Sequence, residues 1–227
     1  MPPEYTVYAL KFAGPFDRSR AMVLWMKDWQ AVEQINYYIW CLQSGEETVV
    51  VDVGVTPRLG REQRLNGYVS PPEVLSRIGV DADAVRHVIL THLHWDHASG
   101  VDGFPHATFY VQQAEYRFWT RDPIARRPPF QPLVDRDALE CLAGLADAGR
   151  LVLPDGDREV LPGIECLLAP GHTVGLQAVA VNTERGTVII GSDCGHLFRN
   201  FREDWPSGII TDLLSWMRSY DKLRGRA

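Results

Sequence analysis

The stretch Thr91-His92-Leu93-His94-Trp95-Asp96-His97 sets three imidazoles and a carboxylate into six consecutive positions, and no other feature constrains this chain as tightly. Neutral imidazole and ionised carboxylate are the donors that zinc and similar divalent ions take, and a catalytic zinc keeps one position open for water. The residues just before it, Val85-Arg86-His87-Val88-Ile89-Leu90, form the short β-branched run expected of a buried strand. The ligands therefore fall at a strand's C-terminal edge. In an extended entry, His92 and His94 are two apart and point the same way, whereas Asp96 and His97 lie past the bend and can face a second ion. One turn can thus serve two adjacent metals. Gly100, Gly103 and Phe104-Pro105 then read as a tight loop around a short helical turn.

A chain of 227 residues that is 45% hydrophobic can bury a large core, and one hydrolase domain over residues 1–227 is expected. The net charge of −6 argues against a nucleic-acid groove, which needs a concentrated basic face, and the Arg126-Arg127 pair reads as a solvated loop. There is no charged-then-apolar leader and no run of about 18 apolar residues that could span a membrane, so a cytoplasmic protein is expected. Cys41, Cys141, Cys166 and Cys194 are scattered without CxxC spacing and are expected to be free and mostly buried.

Strands are expected over 5–12, 35–42 and 48–53, the last two joined at Ser44-Gly45, giving an N-terminal β-meander. Ser70, with Pro71 and Pro72 in the first turn and Glu73 completing a capping box, starts a helix ending near Gly79. Further helices are expected from Gln112 and over 137–148. Strands return over 151–153, 164–168, 176–182 and 187–190. A last amphipathic helix follows Ser207 with Ile210, Leu214 and Met217 on its apolar face. Two sheet-forming halves with helices outside predict a four-layer αββα sandwich with its ligand loops along one edge.

Three more segments fit that edge. A catalytic zinc built on His92 and His94 lacks a third protein ligand, and His172, in the Ala169-Pro170-Gly171-His172-Thr173 turn after a strand, is read as that ligand. Asp193 follows the apolar strand Val188-Ile189-Ile190 and can bridge two ions with its two oxygens. Asp52, in Val51-Asp52-Val53-Gly54, is a third strand-end acid, read as accepting a hydrogen bond from a ligand histidine or anchoring the ligand loop. His87 is read as a packed core residue and His106 as solvated.

On these residues the chain resembles the metallo-β-lactamase superfamily, over nearly its whole length: the ligand order matches Asp52, His92, His94, Asp96, His97, His172 and Asp193. The long segment between His97 and His172, the Pro-Gly-His-Thr-x-Gly turn at 170–175 and the Glu-Asp-x-Pro-x-Gly-Ile run at 203–209 look like its N-acyl homoserine lactonase branch. The resemblance implies a hydrolase with two divalent ions, zinc first among them. His92, His94 and His172 would hold one and Asp96 and His97 the other, with Asp193 and an attacking hydroxide between them. It also implies that Asp96 takes part in proton transfer as a lactone ring opens.

The pattern departs from that branch in two places. The branch carries a tyrosine three residues after the bridging aspartate, where this chain has His196. An imidazole can donate the same hydrogen bond but titrates in the working range, and it can also bind metal. The branch also has a further histidine ligand and a final strand beyond the last helix. No candidate for that ligand follows His196, and the natural chain is expected to continue past Ala227. For an acyl chain, the apolar wall is assigned to Trp25, Met26 and Trp29, with Phe118 and Trp119 in support. Residues 22–29 also suit core packing or a homodimer contact. The alternatives are a glyoxalase II-like thioesterase, a cyclic amide or ester hydrolase, and a metal-binding module without turnover.

Overall fold

Strands whose two faces are both apolar organise the computed structural model, which describes residues 2–226. The strands are β1 (Thr6–Ser19), β2 (Val32–Ser44), β3 (Glu47–Val51), β4 (His87–Ile89), β5 (Thr108–Tyr110) and β6 (Leu151–Val152), then β7 (Arg158–Leu161), β8 (Ile164–Leu168), β9 (Gln177–Thr183) and β10 (Gly186–Ile190). The first six pair in the order β1-β2-β3-β4-β5-β6, and the last four as β10-β9-β8-β7. The meander β1-β2-β3 is antiparallel and β3 to β6 run parallel, with Val49 opposite His87, Val50 opposite Val88 and Val51 opposite Ile89.

Period-two alternation explains the layers. Val49, Val51, Ile89 and Tyr110 meet Ile164, Cys166, Val179 and Val181 of the second sheet. Their neighbours Val50, Val88 and Phe109 face the other way, into the cluster with Val74, Leu75, Phe104, Tyr116 and Leu142. Each such side chain contributes on the order of 2 kcal/mol by leaving water. The helices are α1 (Arg20–Val23), α2 (Pro57–Glu62), α3 (Pro71–Ser76), α4 (Trp95–Ala98), α5 (Gln113–Arg121), α6 (Arg136–Asp147), α7 (Phe198–Arg202) and α8 (Leu213–Arg224). On the far side, α8 covers the second sheet through Trp216, Tyr220 and Leu223, packed against Leu167, Ala178 and Ala180. The expected αββα sandwich is the fold.

Several local expectations need correction. The strand expected to stop at Phe12 runs to Ser19, because β1 is an edge strand whose register shifts between Lys11 and Phe16 accommodate Gly14-Pro15. The helix at Ser70 starts where expected without a side-chain cap bond. Pro71 and Pro72 remove two of the N–H groups that a cap would serve, and Glu73 lies 3.7 Å from Arg77 instead. The last helix begins at Asp212, whose carboxylate accepts from Ser215 N at 3.0 Å. Its buried face is Trp216, Tyr220 and Leu223, while Leu214 is 68% exposed. His87 is only partly buried, with Nδ1 3.0 Å from the Tyr110 hydroxyl. The helices α1, α2 and α7, the inner strand β5 and the polar edge strand β7 are not among the elements expected from the sequence. Cys41, Cys166 and Cys194 are buried and all four cysteines are free.

Candidate metal centre

Four strand ends deliver the polar residues to one edge. Asp52 follows β3, His92 follows β4, His172 follows β8 and Asp193 follows β10. Backbone bonds stitch the exits together: Asp52 N to Ile89 O (2.9 Å), Val53 N to His97 O (2.9 Å) and Gln177 N to Thr91 O (2.8 Å). The third of these ties the two sheets at the site. Gly100 has to be glycine here, because a Cβ would come within 2.2 Å of the Val53 carbonyl oxygen.

Two overlapping groups of donors result, His92 with His94 and His172, and His92 with His97 and Asp193, each with its ligand atoms within 4.8 Å of one another. In the first, His94 Nδ1 and His172 Nε2 are 3.0 Å apart. His172 Nδ1 donates to the Ile209 carbonyl at 2.9 Å, so its Nε2 carries the lone pair. His92 Nδ1 lies 3.1 Å from Thr91 Oγ1, which itself is 2.8 Å from Asp52 Oδ2. A carboxylate only accepts, so the hydroxyl proton goes to Asp52 and His92 Nδ1–H donates to Thr91. His92 Nε2 is then a bare lone pair, buried and without any partner.

The second group is built on charge. His97 Nδ1 donates to Asp52 Oδ2 at 2.8 Å, and its Nε2 faces Asp193 Oδ1 at 3.5 Å and Asp96 Oδ2 at 3.7 Å. Asp193 Oδ2 meets His172 Nε2 at 3.3 Å and His196 Nε2 at 3.2 Å, so the carboxylate stands between the two groups. Asp52 holds this arrangement from a left-handed backbone, φ 61°. Its contacts to Thr91 N, Thr91 Oγ1 and His97 offset the cost of that conformation.

Burial drives His92 and His94 well below the ordinary histidine value and His172 down to about 4, with neighbouring imidazoles adding to the effect. Burial works against charge on His97 too, but Asp96, Asp193 and Asp52 outweigh it and hold its pKa up at about 10. Asp96 is raised by burial. Burial also pushes on Asp193, yet His196, His97 and His172 hold it well below the carboxylate range. An unpartnered buried Nε2, neutral imidazoles with converging lone pairs and an ionised carboxylate between the groups fit a pair of divalent cations.

Of the donors expected from the sequence, the structure gathers His92, His94, His97, His172 and Asp193 into the two groups, while Asp96 stands beside His97 outside both, with Asp52 and His196 nearby. The residues assigned to an acyl wall spread further. Trp119 is buried with its ring centroid 5.8 Å from that of His94, and Phe118 packs on Trp119 at 4.9 Å. Met26 and Trp29 are 61% and 64% exposed. Trp25 is tied to the 205–206 segment, with Trp25 N bonded to Pro206 O and Trp205 Nε1 to Trp25 O, three residues before the Ile209 carbonyl that orients His172. Sequence reasoning passed over Thr91, Ser192 (Oγ 2.8 Å from Thr91 Oγ1) and that carbonyl. Hydroxyls directly preceding His92 and Asp193 were the available signal for the first two; a backbone carbonyl leaves none.

The family model described as the metallo-beta-lactamase superfamily matches residues 32–226. The chain belongs to that superfamily. Within it, the chain is 28% identical over 189 residues to the N-acyl homoserine lactonase AiiA of Bacillus thuringiensis subsp. kurstaki, covering 76% of this chain and 70% of that protein. Among solved structures, an N-acyl homoserine lactone hydrolase with the product N-hexanoyl-L-homoserine bound at its catalytic metal centre superposes with a TM-score of 0.81 at 22% identity, covering 99% of this chain and 89% of the other. AidC, a dizinc quorum-quenching lactonase, gives 0.76 at 18% identity, covering 98% and 83%.

Proposed function

We propose that this chain acts as one metal-dependent hydrolase unit that opens the lactone ring of an N-acyl homoserine lactone. The observation that carries the reading is the paired centre itself, three converging imidazoles next to a carboxylate and imidazole cluster, and the 28% identity to a named N-acyl homoserine lactonase supports the substrate class. His92, His94 and His172 would hold one divalent ion, and Asp96 and His97 a second, with Asp193 shared; zinc is the first candidate. Such a pair supplies a nucleophile from water at neutral pH and polarises the ester carbonyl.

The chain's own residues supply orientation and protons. Asp52 fixes His97 through Nδ1 and fixes His92 through the Thr91 hydroxyl, so both rings present Nε2 to the centre. His196 Nε2 sits against the Asp193 carboxylate and, with the lactone in place, can donate to its carbonyl oxygen. The partly buried Asp96 carboxyl can carry a proton to the leaving ring oxygen. Trp119, with Phe118 behind it, offers an apolar surface beside His94, and Trp25, Met26 and Trp29 would supply a further apolar face for an acyl chain. No helix among the described residues is long and apolar enough to cross a membrane, and four free cysteines suit a reducing cytoplasm.

Ring opening followed by proton release, on homoserine lactones of short and long acyl chain with zinc-loaded protein, tests the reading. Turnover that chelation abolishes and His92→Ala removes is expected. Two bound ions without lactone turnover would overturn the substrate assignment and turn the search to thioesters and cyclic amides.

A further inference from the structure

Glu115 is fully buried in α5, yet it touches none of the donors assigned to metal. Its Oε1 accepts from Leu93 N at 3.1 Å and from the Trp119 indole N–H at 2.7 Å. Its Oε2 accepts from Gly175 N at 3.0 Å. The Thr173 hydroxyl, which makes no hydrogen bond of regular geometry, lies beside the same carboxyl. Burial raises the carboxyl's pKa, and the surrounding donors act in the opposite sense.

The identity of these partners matters. Leu93 separates His92 from His94, and Thr173 and Gly175 follow His172. Trp119 stands against the His94 ring. One carboxylate is therefore bonded to both chain segments that supply the three-imidazole pocket, and none of its bonds goes to Asp96, His97 or Asp193 or to a residue next to one of them in the chain. Close approach is built in, since a Cβ on Gly175 would come within 2.3 Å of the Glu115 backbone nitrogen. A carboxylate suits the place because it only accepts, and three N–H groups point at it; an amide would set its own NH2 against one of them.

We propose that Glu115 is a positioning residue: it clamps the His92–His94 turn to the His172 turn and so sets the spacing of the first metal pocket. The inference rests on the metal reading above, and two measurements keep them apart. In metal-free protein, amide exchange at Leu93 and Gly175 should speed up by about tenfold or more in Glu115→Ala, with the sheet amides of Val50 and Val88 unchanged. In Glu115→Gln, which keeps one acceptor oxygen, one of the two amides should respond and the other stay protected. In zinc competition with a chelator, the affinity for the first ion should fall about ten- to hundredfold in Glu115→Ala. That for the second should change by less than about threefold, and the visible spectrum of a first bound cobalt ion should shift.

Unchanged exchange at both amides would overturn the clamp whatever the metals do. So would lower thermal stability with unaltered first-ion affinity and cobalt spectrum, or equal weakening of both ions, which would make Glu115 a packing residue. Wild-type protein that takes up no metal would instead overturn the reading on which the inference rests.

Discussion

The three-imidazole pocket of His92, His94 and His172 and the mixed pocket of Asp96, His97 and Asp193 share one edge of the sandwich but meet the cost of burial in opposite ways. In the first, burial strips the imidazoles of charge, and they stand neutral at pH 7 with nitrogen lone pairs turned inward. In the second, burial is outweighed by three carboxylates, and His97 stands as a paired imidazolium with a pKa of about 10. The same residue type is thus a ready ligand in one place and a counter-ion in the other. A cation can enter the first pocket without displacing a proton, whereas in the second it replaces the charge that His97 supplies.

The strongest way to break this comparison is Asp52→Asn. Asp52 bonds His97 directly but reaches His92 only through Thr91. Affinity for the second ion should fall about ten- to hundredfold and that for the first by less, as read by stepwise zinc titration. An equal loss at both would show that the pockets are one unit.

Proton bookkeeping sharpens it. At pH 7, calorimetry in buffers of different ionisation enthalpy should find about one more proton released with the second ion than with the first. The metal-free chain should show the same contrast in its stability. His92, His94 and His172 have depressed folded pKa values, so below the unfolded value of about 6.5 the unfolded chain binds more protons. Their contribution is intact above that pH and lost as pH falls toward 4. His97 contributes fully below about 6.5 and loses its contribution as pH rises through about 10. Urea midpoints followed across this range should decline on both sides, and His97→Gln should flatten the alkaline side alone. A variant that steepens it would reverse the assignment of charge.

The smallest effect concerns the wall rather than the pockets. Trp29→Ala should raise KM by about three- to tenfold for long-chain lactones, a loss of roughly 1 kcal/mol of apolar contact, and leave short-chain ones nearly unchanged. The same change for both would place Trp29 outside the acyl path.

Much of this centre is legible in the sequence. The crowding of His92, His94, Asp96 and His97 at a strand end is a local fact, and the lone His172 and Asp193 after apolar strands could be matched to it. The outer helix was harder. Ile210, Leu214 and Met217 have the right spacing, but Asp212 caps the helix later, and the larger Trp216 and Tyr220 take the inner face. Glu115 does not stand out within the helix expected from Gln112, because nothing in its sequence neighbourhood says that Leu93 and Gly175 will meet it.

Sequence alone determined the alternation that makes two sheets, the placing of the candidate donors at strand ends and the donor types that suit a divalent cation, because these depend on spacing along a few residues and on side-chain chemistry. Only the tertiary structure decided which imidazoles are neutral and which is charged, that Thr91 links His92 to Asp52, and that one buried carboxylate joins two turns far apart in the chain. Those outcomes depend on burial and on the field of groups brought together by packing, and no local pattern carries either.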